Sequence, residues 1–260
     1  MKDKILLFIP AYNCENQIIR VLGQLDEEIM HYITEVIVIS NRSTDNTEAV
    51  VSSFLNRHPD FPGKLLVNHE NYGLGGSHKV AFDYALKNGF DYVVVLHGDD
   101  QGSIEDFLPV FRSGYYRKHA SVLGARFMRG SKLIGYSLFR TFGNIVYDFL
   151  FAAVIGRRVY DLGSGLNMYR VSDLASRYYE KFPDNLMFNY CMVLAIGYYK
   201  QDAKFYPVSW REDDQVSNVK MASQALKVLK ILYDYCRIPE RILADYRDRI
   251  VEEYGADEIK

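Results

Sequence analysis

The stretch Tyr92-Val93-Val94-Val95-Leu96-His97-Gly98-Asp99-Asp100-Gln101 passes abruptly from apolar residues to two adjacent carboxylates. Its first five residues predict a buried strand. Two carboxylates at the end of a buried strand are costly unless a positive charge lies beside them. Mg²⁺ or Mn²⁺ that also contacts a diphosphate would supply that charge, since hard cations take carboxylate and phosphate oxygens. The alternative is an Asp-Asp turn that only closes the strand.

Three further buried strands are predicted before this one, at residues 5–9, 36–39 and 64–68. Apolar residues with helical spacing lie between them, over residues 15–31 and 47–55, and again over 77–88. This alternation predicts βαβ units, and so an α/β fold with a Rossmann-like, mostly parallel sheet flanked by helices. Ligands bind such sheets beyond the carboxyl ends of the strands. The polar segments that follow the strand ends are residues 10–13, 40–45, 71–76 and 97–101.

The segment Asn71-Tyr72-Gly73-Leu74-Gly75-Gly76-Ser77 opens the third of these helices. Glycines let backbone approach a ligand closely, and a helix N-terminus offers N–H groups to an anion. A flexible turn is the alternative. The segment is neither a P-loop nor a dinucleotide fingerprint, because no Gly-Lys-Ser/Thr follows it and it does not follow the first strand.

The chain is long enough for one large domain with an appendage, at 260 residues of which 48% are hydrophobic. From about residue 218 the pattern is helical and charged, with Ala222, Leu226 and Leu229 on one face. We therefore expect a catalytic domain at residues 1–217 and a C-terminal helical appendage at residues 218–260.

Charge and cysteine content indicate the compartment. A net charge of −2 argues against a nucleic-acid binder. The three scattered cysteines, with no Cys-x-x-Cys spacing, predict reduced thiols in a cytoplasmic protein. The apolar run at residues 5–9 is too short for a signal peptide. No unbroken run of about 18 apolar residues occurs, so no membrane-spanning helix is expected.

Residues 107–147 carry seven Lys or Arg residues and no Asp or Glu. Such a stretch attracts phosphate groups or an anionic membrane surface. Residues 137–155 add a broad apolar stripe with helical spacing, which is typical of a helix lying on lipid. The protein is therefore expected to act at the inner face of the plasma membrane. The alternatives are that the stripe packs on the sheet or forms a contact in a homo-oligomer.

Together these residues resemble the family 2 glycosyltransferases, which have the GT-A fold, over roughly residues 4–220. Phe8-Ile9-Pro10-Ala11-Tyr12-Asn13 is similar to the family's opening strand and nucleotide-contacting turn. Ser43-Thr44-Asp45-Asn46-Thr47 and Asn71–Gly76 are similar to the next two motifs, and residues 97–101 are similar to its Asp-x-Asp metal motif. Residues 124–127, Arg140 and residues 161–170 resemble the subgroup of dolichol-phosphate and polyprenyl-phosphate sugar synthases.

The resemblance implies roles for individual residues. Those implied to contact a nucleotide-sugar donor are Pro10, Tyr12, Asn13, Asn41, Asn71, Gly75, Gly76, His97, Gly98 and Arg126. Asp99 aligns with the metal-ligating acid, and Asp100 assists it or lies behind it. Arg211 resembles the subgroup's diphosphate-contacting arginine. A hydroxyl acceptor would need a base, for which the candidates are Asp161, Asp213 and Asp214, whereas a phosphate acceptor is already ionised.

The implied enzyme is a metal-dependent, inverting hexosyltransferase. It would move sugar from a nucleotide-sugar to a polyprenyl-phosphate or saccharide acceptor in cell-surface glycan synthesis. Two departures from the family pattern matter. Ser40-Asn41 replaces the base-contacting acids, and His97 replaces the first Asp of the metal motif. A nucleotide-sugar-binding protein without catalysis is therefore the alternative, which metal-dependent hydrolysis of a nucleotide-sugar would exclude.

Overall fold

The structure is a computed structural model and describes residues 2–212 and 221–259. Asp213 and Asp214, two of the predicted catalytic bases, lie outside the described residues, as does the proposed domain boundary at 217/218.

The first half of the chain alternates strands and helices as the sequence predicts. Its elements are β1 (Ile5–Ala11), α1 (Ile18–Gly23), α2 (Glu27–Tyr32), β2 (Glu35–Ser40), α3 (Thr47–Arg57), β3 (Gly63–Asn68), α4 (Gly73–Lys87) and β4 (Tyr92–Leu96). β1 lies between β2 and β4, parallel to both, and β3 pairs in parallel with β2. All the residues of β1 and β4 are buried, because helices cover both faces of the sheet.

The single helix expected over residues 15–31 is two helices. Asp26 begins α2, where its Oδ1 accepts a hydrogen bond from the backbone N–H of Ile29 at 2.9 Å. An Asp at this position satisfies an N–H that lacks a partner within the helix, and so favours a new helix start over continuation of the previous one.

The second half completes the sheet with both antiparallel and parallel pairings. Its elements are α5 (Leu108–Ser113), β5 (Ser121–Ala125), β6 (Leu133–Ile134), α6 (Leu138–Ile155), β7 (Leu166–Arg170), α7 (Met187–Tyr198), β8 (Ala203–Pro207), β9 (Trp210–Arg211), α8 (Met221–Arg237), α9 (Pro239–Ala244) and β10 (Ala256–Ile259). The strand order is β10-β3-β2-β1-β4-β7-β5-β8, and β6 pairs with β9 apart from this sheet. β7 is antiparallel to β4 and β5. The predicted mostly parallel sheet flanked by helices is confirmed.

Two apolar layers lie on opposite faces of the sheet. Leu6 and Phe8 of β1 contact one layer, which α4 and α7 cover, and Leu7 and Ile9 contact the other, which α1, α3 and α5 cover. This alternation follows from the opposite directions of successive side chains on a strand. The loops at the carboxyl edge therefore follow strands that are packed on both faces.

The expected C-terminal appendage is helical only in part. α8 and α9 pack on the layer covered by α4 and α7, through Val228, Ile231 and Ile242. β10 then pairs antiparallel with β3 and becomes the edge of the main sheet. The expected helical appendage therefore ends in a strand, because the otherwise unpaired edge of β3 offers backbone hydrogen bonds that the sequence pattern does not reveal.

α6 lies on the surface with its apolar stripe exposed. Phe142 is 68% exposed and Phe149 is 71% exposed, while Asp148 and Phe151 face inward. With 18 residues and a mean hydropathy of 1.4, it is the one helix in the described part of the chain that is long and apolar enough to cross a membrane. The expectation of no such helix was too strict, since it considered only unbroken apolar runs.

Candidate active site

An open cleft of about 360 Å³ lies at the carboxyl ends of β1, β2, β3 and β4. Seven of the residues predicted from the sequence line it, namely Pro10, Tyr12, Asn41, Asn71, His97, Gly98 and Asp99. Parallel strands bring their following loops to one edge, so residues more than 80 positions apart meet there. Leu186, which also lines the cleft, was not predicted because it comes from the distant loop before α7.

Asn41 joins the ends of β2 and β3 at the wall of this cleft. Its Oδ1 accepts hydrogen bonds from the backbone N–H of Tyr72 at 2.8 Å and from Nδ2 of Asn68 at 3.0 Å. Its Nδ2 donates to Oδ1 of Asn71 at 2.8 Å. Because a backbone N–H can only donate, these contacts fix which end of the Asn41 amide is the oxygen. Asn41 therefore shapes the cleft as well as lining it.

Asn13 does not line the cleft. Its backbone has a φ of 49°, and its Oδ1 accepts a hydrogen bond from the N–H of Thr44 at 2.8 Å. Asn tolerates this left-handed conformation better than most residues. Asn13 thus ties the loop after β1 to the loop after β2, and a donor contact by this residue stays a prediction.

Gly75 and Gly76 face the loop before α7 and do not line the cleft. The N–H of Gly75 donates to the carbonyl oxygen of Asp184 at 2.6 Å. A Cβ at Gly75 would lie 2.5 Å from the carbonyl oxygen of Pro183, and one at Gly76 would lie 2.3 Å from Cβ of Tyr72. The glycines are needed for close packing between loops. Their expected direct contact with the donor has no support in this geometry.

The two adjacent carboxylates have opposite surroundings. Asp100 is 3% exposed, and its Oδ2 accepts from Nε of Arg20 at 2.5 Å and from the Arg211 guanidinium. Its φ of 59° turns it away from the cleft. Asp99 lines the cleft, and burial raises the pKa of its carboxyl to about 6, against hydrogen bonds such as that from the Gln101 N–H. The protein supplies the counter-charge for Asp100, whereas Asp99 remains open to a cation.

His97 lies beside Asp99 in the cleft wall. Its Nε2 is buried and has no hydrogen-bond partner among the residues that the structure describes. Burial, together with the nearby Arg126 charge, lowers the pKa of the imidazole to about 4. The ring is therefore neutral at physiological pH, and a neutral imidazole nitrogen can act as a hydrogen-bonding group or a metal ligand.

The residues of the cleft fit a metal that is shared with a substrate. In residues 2–212 and 221–259, no group of three or more His, Cys, Asp or Glu side chains gathers as a metal site. Mg²⁺ is commonly held by one or two carboxylates together with substrate phosphates and water. One open carboxylate at Asp99, beside the unpartnered nitrogen of His97, matches that kind of site.

Arg126 and Asp161 form a second polar centre, outside the cleft. Nε and Nη2 of Arg126 donate to the two carboxylate oxygens of Asp161 at 2.6 and 2.7 Å, and the N–H of Gly163 donates to Oδ1 at 2.9 Å. The Arg126 guanidinium also lies 4.8 Å from the centre of the Trp210 ring. A catalytic base must be free to take a proton, so this geometry favours a positioning role for Asp161 over the predicted role as base.

Arg211 is tied to the loop that carries Asp99. Its Nε donates to the carbonyl oxygen of Asp100 at 2.7 Å, and its guanidinium also contacts the Asp100 carboxylate. The neighbouring Glu212 accepts from Nη1 of Arg140 at 2.6 Å. The short β6–β9 pair therefore holds Arg211 against the loop that follows β4 and holds Glu212 beside Arg140. A contact between Arg211 and a diphosphate stays a prediction.

Comparison with known proteins agrees with this geometry. The model of the Glycosyl transferase family 2 matches residues 7–177. An undecaprenyl-phosphate mannosyltransferase from Micrococcus luteus is 23% identical over 171 residues, which are 66% of this chain and 68% of that protein.

Two solved structures share the fold. Glucosyl-3-phosphoglycerate synthase from Mycobacterium tuberculosis, with Mn²⁺, UDP and phosphoglyceric acid, is 16% identical with a TM-score of 0.62, over 91% of this chain and 80% of that one. S. aureus TarS 1–349 with UDP-GlcNAc is 18% identical with a TM-score of 0.56, over 88% of this chain. The present chain spans 65% of that TarS structure. The chain therefore belongs to glycosyl transferase family 2 and is a glycosyltransferase with the GT-A fold.

Proposed function

We propose that the protein is a metal-dependent, inverting glycosyltransferase that uses a nucleotide-sugar donor. The observation that carries the proposal is the open carboxylate of Asp99 in a cleft formed by four strand ends. Relatives of the same fold have been solved with UDP-GlcNAc, or with UDP and Mn²⁺. We assign Tyr12 and Asn41 to the nucleotide and Asp99 to the metal, with His97 beside it.

In this mechanism the bond from the anomeric carbon to the diphosphate breaks as the acceptor attacks from the opposite side. A bound Mg²⁺ or Mn²⁺ would neutralise the charge that develops on the leaving diphosphate. Asp99, which follows β4, would hold that ion in place through its carboxylate. Asp100 would fix Arg211 near the diphosphate, where a positive charge favours the transition state over the ground state.

We propose a polyprenyl phosphate as the acceptor in preference to a saccharide. A phosphate oxygen is ionised and needs no base, which accords with the occupation of both Asp161 oxygens by Arg126. The exposed apolar face of α6, next to the acid-free basic stretch, suits an enzyme that meets its acceptor at a lipid surface. The M. luteus relative is named for an undecaprenyl-phosphate substrate. The protein would then work at the cytoplasmic face of the membrane.

A thermal-shift screen tests the donor half of this proposal. UDP, GDP, CDP and ADP would each be added with Mn²⁺, with Mn²⁺ and excess EDTA, or alone. A ligand that binds the native state raises the melting temperature, by an amount that grows with its concentration over Kd. We expect a shift with at least one nucleoside diphosphate that EDTA removes. The absence of any shift, or an equal shift with EDTA, would contradict the proposal.

A further inference from the structure

The loop of residues 182–186 packs against one side of the glycine-rich segment, residues 71–77. The carbonyl oxygen of Asp184 accepts from the N–H groups of Gly75 and Gly76, at 2.6 and 3.4 Å, at the start of α4. Leu186, two residues on, lines the cleft. The position of Asp184 therefore sets both the N-terminal turn of α4 and part of the cleft wall.

A buried lysine donates hydrogen bonds to this loop. Lys79 is 1% exposed, and its Nζ donates to the carbonyl oxygen of Phe182 at 2.6 Å, to Oδ1 of Asp184 at 2.7 Å and to the hydroxyl of Tyr254 at 3.0 Å. A charged group is rarely buried so deeply unless its hydrogen bonds are satisfied, and all three ammonium protons have acceptors here.

The remaining partners of Asp184 come from the C-terminal segment, residues 248–255. The Tyr254 hydroxyl donates to Oδ1 of Asp184 at 2.8 Å, and Nε of Arg249 donates to Oδ2 at 2.9 Å. The N–H of Asp184 itself donates to Oδ1 of Asp248 at 2.8 Å. Three residues of the C-terminal segment thus converge on one aspartate about 65 positions earlier in the chain.

Residues 248–255 also contact the glycine-rich segment directly. Nη2 of Arg249 donates to the carbonyl oxygen of Asn71, a cleft residue, at 3.2 Å. The rings of Tyr72 and Tyr254 lie 5.2 Å apart, and the N–H of Gly255 donates to the Tyr72 hydroxyl at 3.3 Å. Arg249 therefore bridges the two loops that form this wall of the cleft.

We propose that the C-terminal segment is a positioning element for donor binding, and that it acts through Arg249 and Asp184 on Asn71 and Leu186. This inference rests on the proposed function, because the cleft must be the donor site. The segment touches the backs of the cleft loops, so its residues position the lining groups and do not themselves contact the donor. A displaced wall weakens donor binding more than it slows the chemical step.

The test compares Arg249→Ala with Arg247→Ala. Arg247 lies just before the C-terminal segment. In the part of the chain that the structure describes, its guanidinium hydrogen-bonds to Asp245, at 2.6 Å, and not to Asp184 or Asn71. Calorimetric titration of UDP and of GDP with Mn²⁺ would give the dissociation constant for each full-length variant. We expect Arg249→Ala to weaken binding about tenfold, Arg249→Lys to recover part of it, and Arg247→Ala to bind like the wild type.

Each result bears on a different claim. Equal affinities of Arg249→Ala and Arg247→Ala, with both variants folded, overturn the positioning role even if Arg249→Ala melts earlier. If Arg249→Ala fails to fold, Tyr254→Phe removes only one hydroxyl, and normal affinity in that variant also overturns the inference. A wild-type protein that binds none of UDP, GDP, CDP and ADP overturns the proposed function and this inference with it.

Discussion

Asp99 and Asp100 are adjacent in the chain, yet their substitution should have opposite consequences. Asp99→Asn should abolish Mn²⁺-dependent nucleotide binding, since it removes the one carboxylate that lines the cleft among residues 2–212 and 221–259. It should not lower stability, because burial already disfavours the charged form and raises the pKa to about 6. Calorimetric titration and thermal melts of the same sample would separate the two effects.

Asp100→Asn provides the contrast. It leaves Arg20 and Arg211 facing a neutral amide and should lower the free energy of unfolding by about 1–2 kcal/mol. Solvent screening keeps the loss this small, because both arginines are partly exposed. If instead Asp100→Asn removes metal-dependent binding while Asp99→Asn preserves it, the assignment of the metal ligand is wrong by one residue.

Asp148 should make stability depend on pH. Burial, together with the nearby Asp161 charge and against the Arg126 charge, raises the pKa of its carboxyl to about 8. Between pH 4 and pH 8 the unfolded chain loses this proton while the folded protein keeps it, so stability falls as pH rises. Asp148→Asn should remove this loss, gaining up to about 1.4 kcal/mol for each pH unit between pH 4 and pH 8.

Urea unfolding at pH 5 and pH 8 measures this effect. The exposed Asp60 provides the control, since Asp60→Asn should change stability little at either pH. A gain from Asp148→Asn that is the same at both pH values would show that Asp148 is ionised in the folded protein.

The sequence predicts cleft residues well where they directly follow a strand. Asn41 and Asp99 lie in polar segments that follow predicted strands, whose ends converge at one edge of a parallel sheet, and the family resemblance implies their roles. The sequence does not predict how the backbone turns beyond the end of a strand, and therefore which way the following side chains point. The positive φ of Asp100 separates two adjacent carboxylates, and no residue pattern indicates that turn. Asp184 was missed because its function depends on partners far away in the chain.

At the level of the helices, two glycines should respond oppositely to the same substitution. Gly75→Ala should destabilise the protein by about 1–3 kcal/mol, because the new Cβ would lie 2.5 Å from a backbone oxygen and 2.7 Å from Cβ of Phe188. Gly143→Ala, in α6 where nothing lies within 4 Å of the added atom, should stabilise by roughly 0.5–1 kcal/mol. Denaturant titration would measure both changes. Equal effects would contradict the close packing of the Gly75 loop.

The exposed face of α6 should bind anionic lipid. Wild-type protein should float with vesicles that contain anionic lipid at low salt, and less so as salt rises, since screening weakens the contribution of the basic residues. Phe142→Glu with Phe149→Glu should abolish flotation, because both side chains are exposed.

A control variant and an alternative outcome complete the flotation experiment. Ile250→Glu alters an apolar residue that is 83% exposed outside α6 and should leave flotation unchanged. If the wild-type protein never binds vesicles but sediments as a dimer that the α6 variant dissociates, α6 is a contact between copies of the chain and not a lipid surface.

Elements with strong periodic patterns were predicted, and those that depend on distant partners were not. The four strands β1 to β4 are long apolar runs, and their burial between two helical layers follows from that pattern. β10 is a short, charged segment, and its pairing with β3 depends on a free edge elsewhere. The break between α1 and α2 depends on a single capping side chain at Asp26.

For the whole molecule, the sheet and the C-terminal segment cooperate to form one cleft. The sheet brings Asp99 and the loops after β1, β2 and β3 to a common edge, and residues 248–255 contact the loops that carry Asn71 and Asp184. On the outside, α6 offers an apolar surface. This arrangement suits the proposed transfer from a water-soluble donor to a lipid-borne acceptor.

The most direct test of this account is the transfer reaction itself. Wild-type protein would be incubated with UDP-sugar or GDP-mannose and vesicles that contain a polyprenyl phosphate, with Mn²⁺ or with excess EDTA. Released nucleoside diphosphate and the anomeric configuration of the product would both be measured. The account predicts release that requires Mn²⁺ and acceptor together, with inversion at the anomeric carbon. Transfer that is undiminished in EDTA, or a product that retains its configuration, would contradict it.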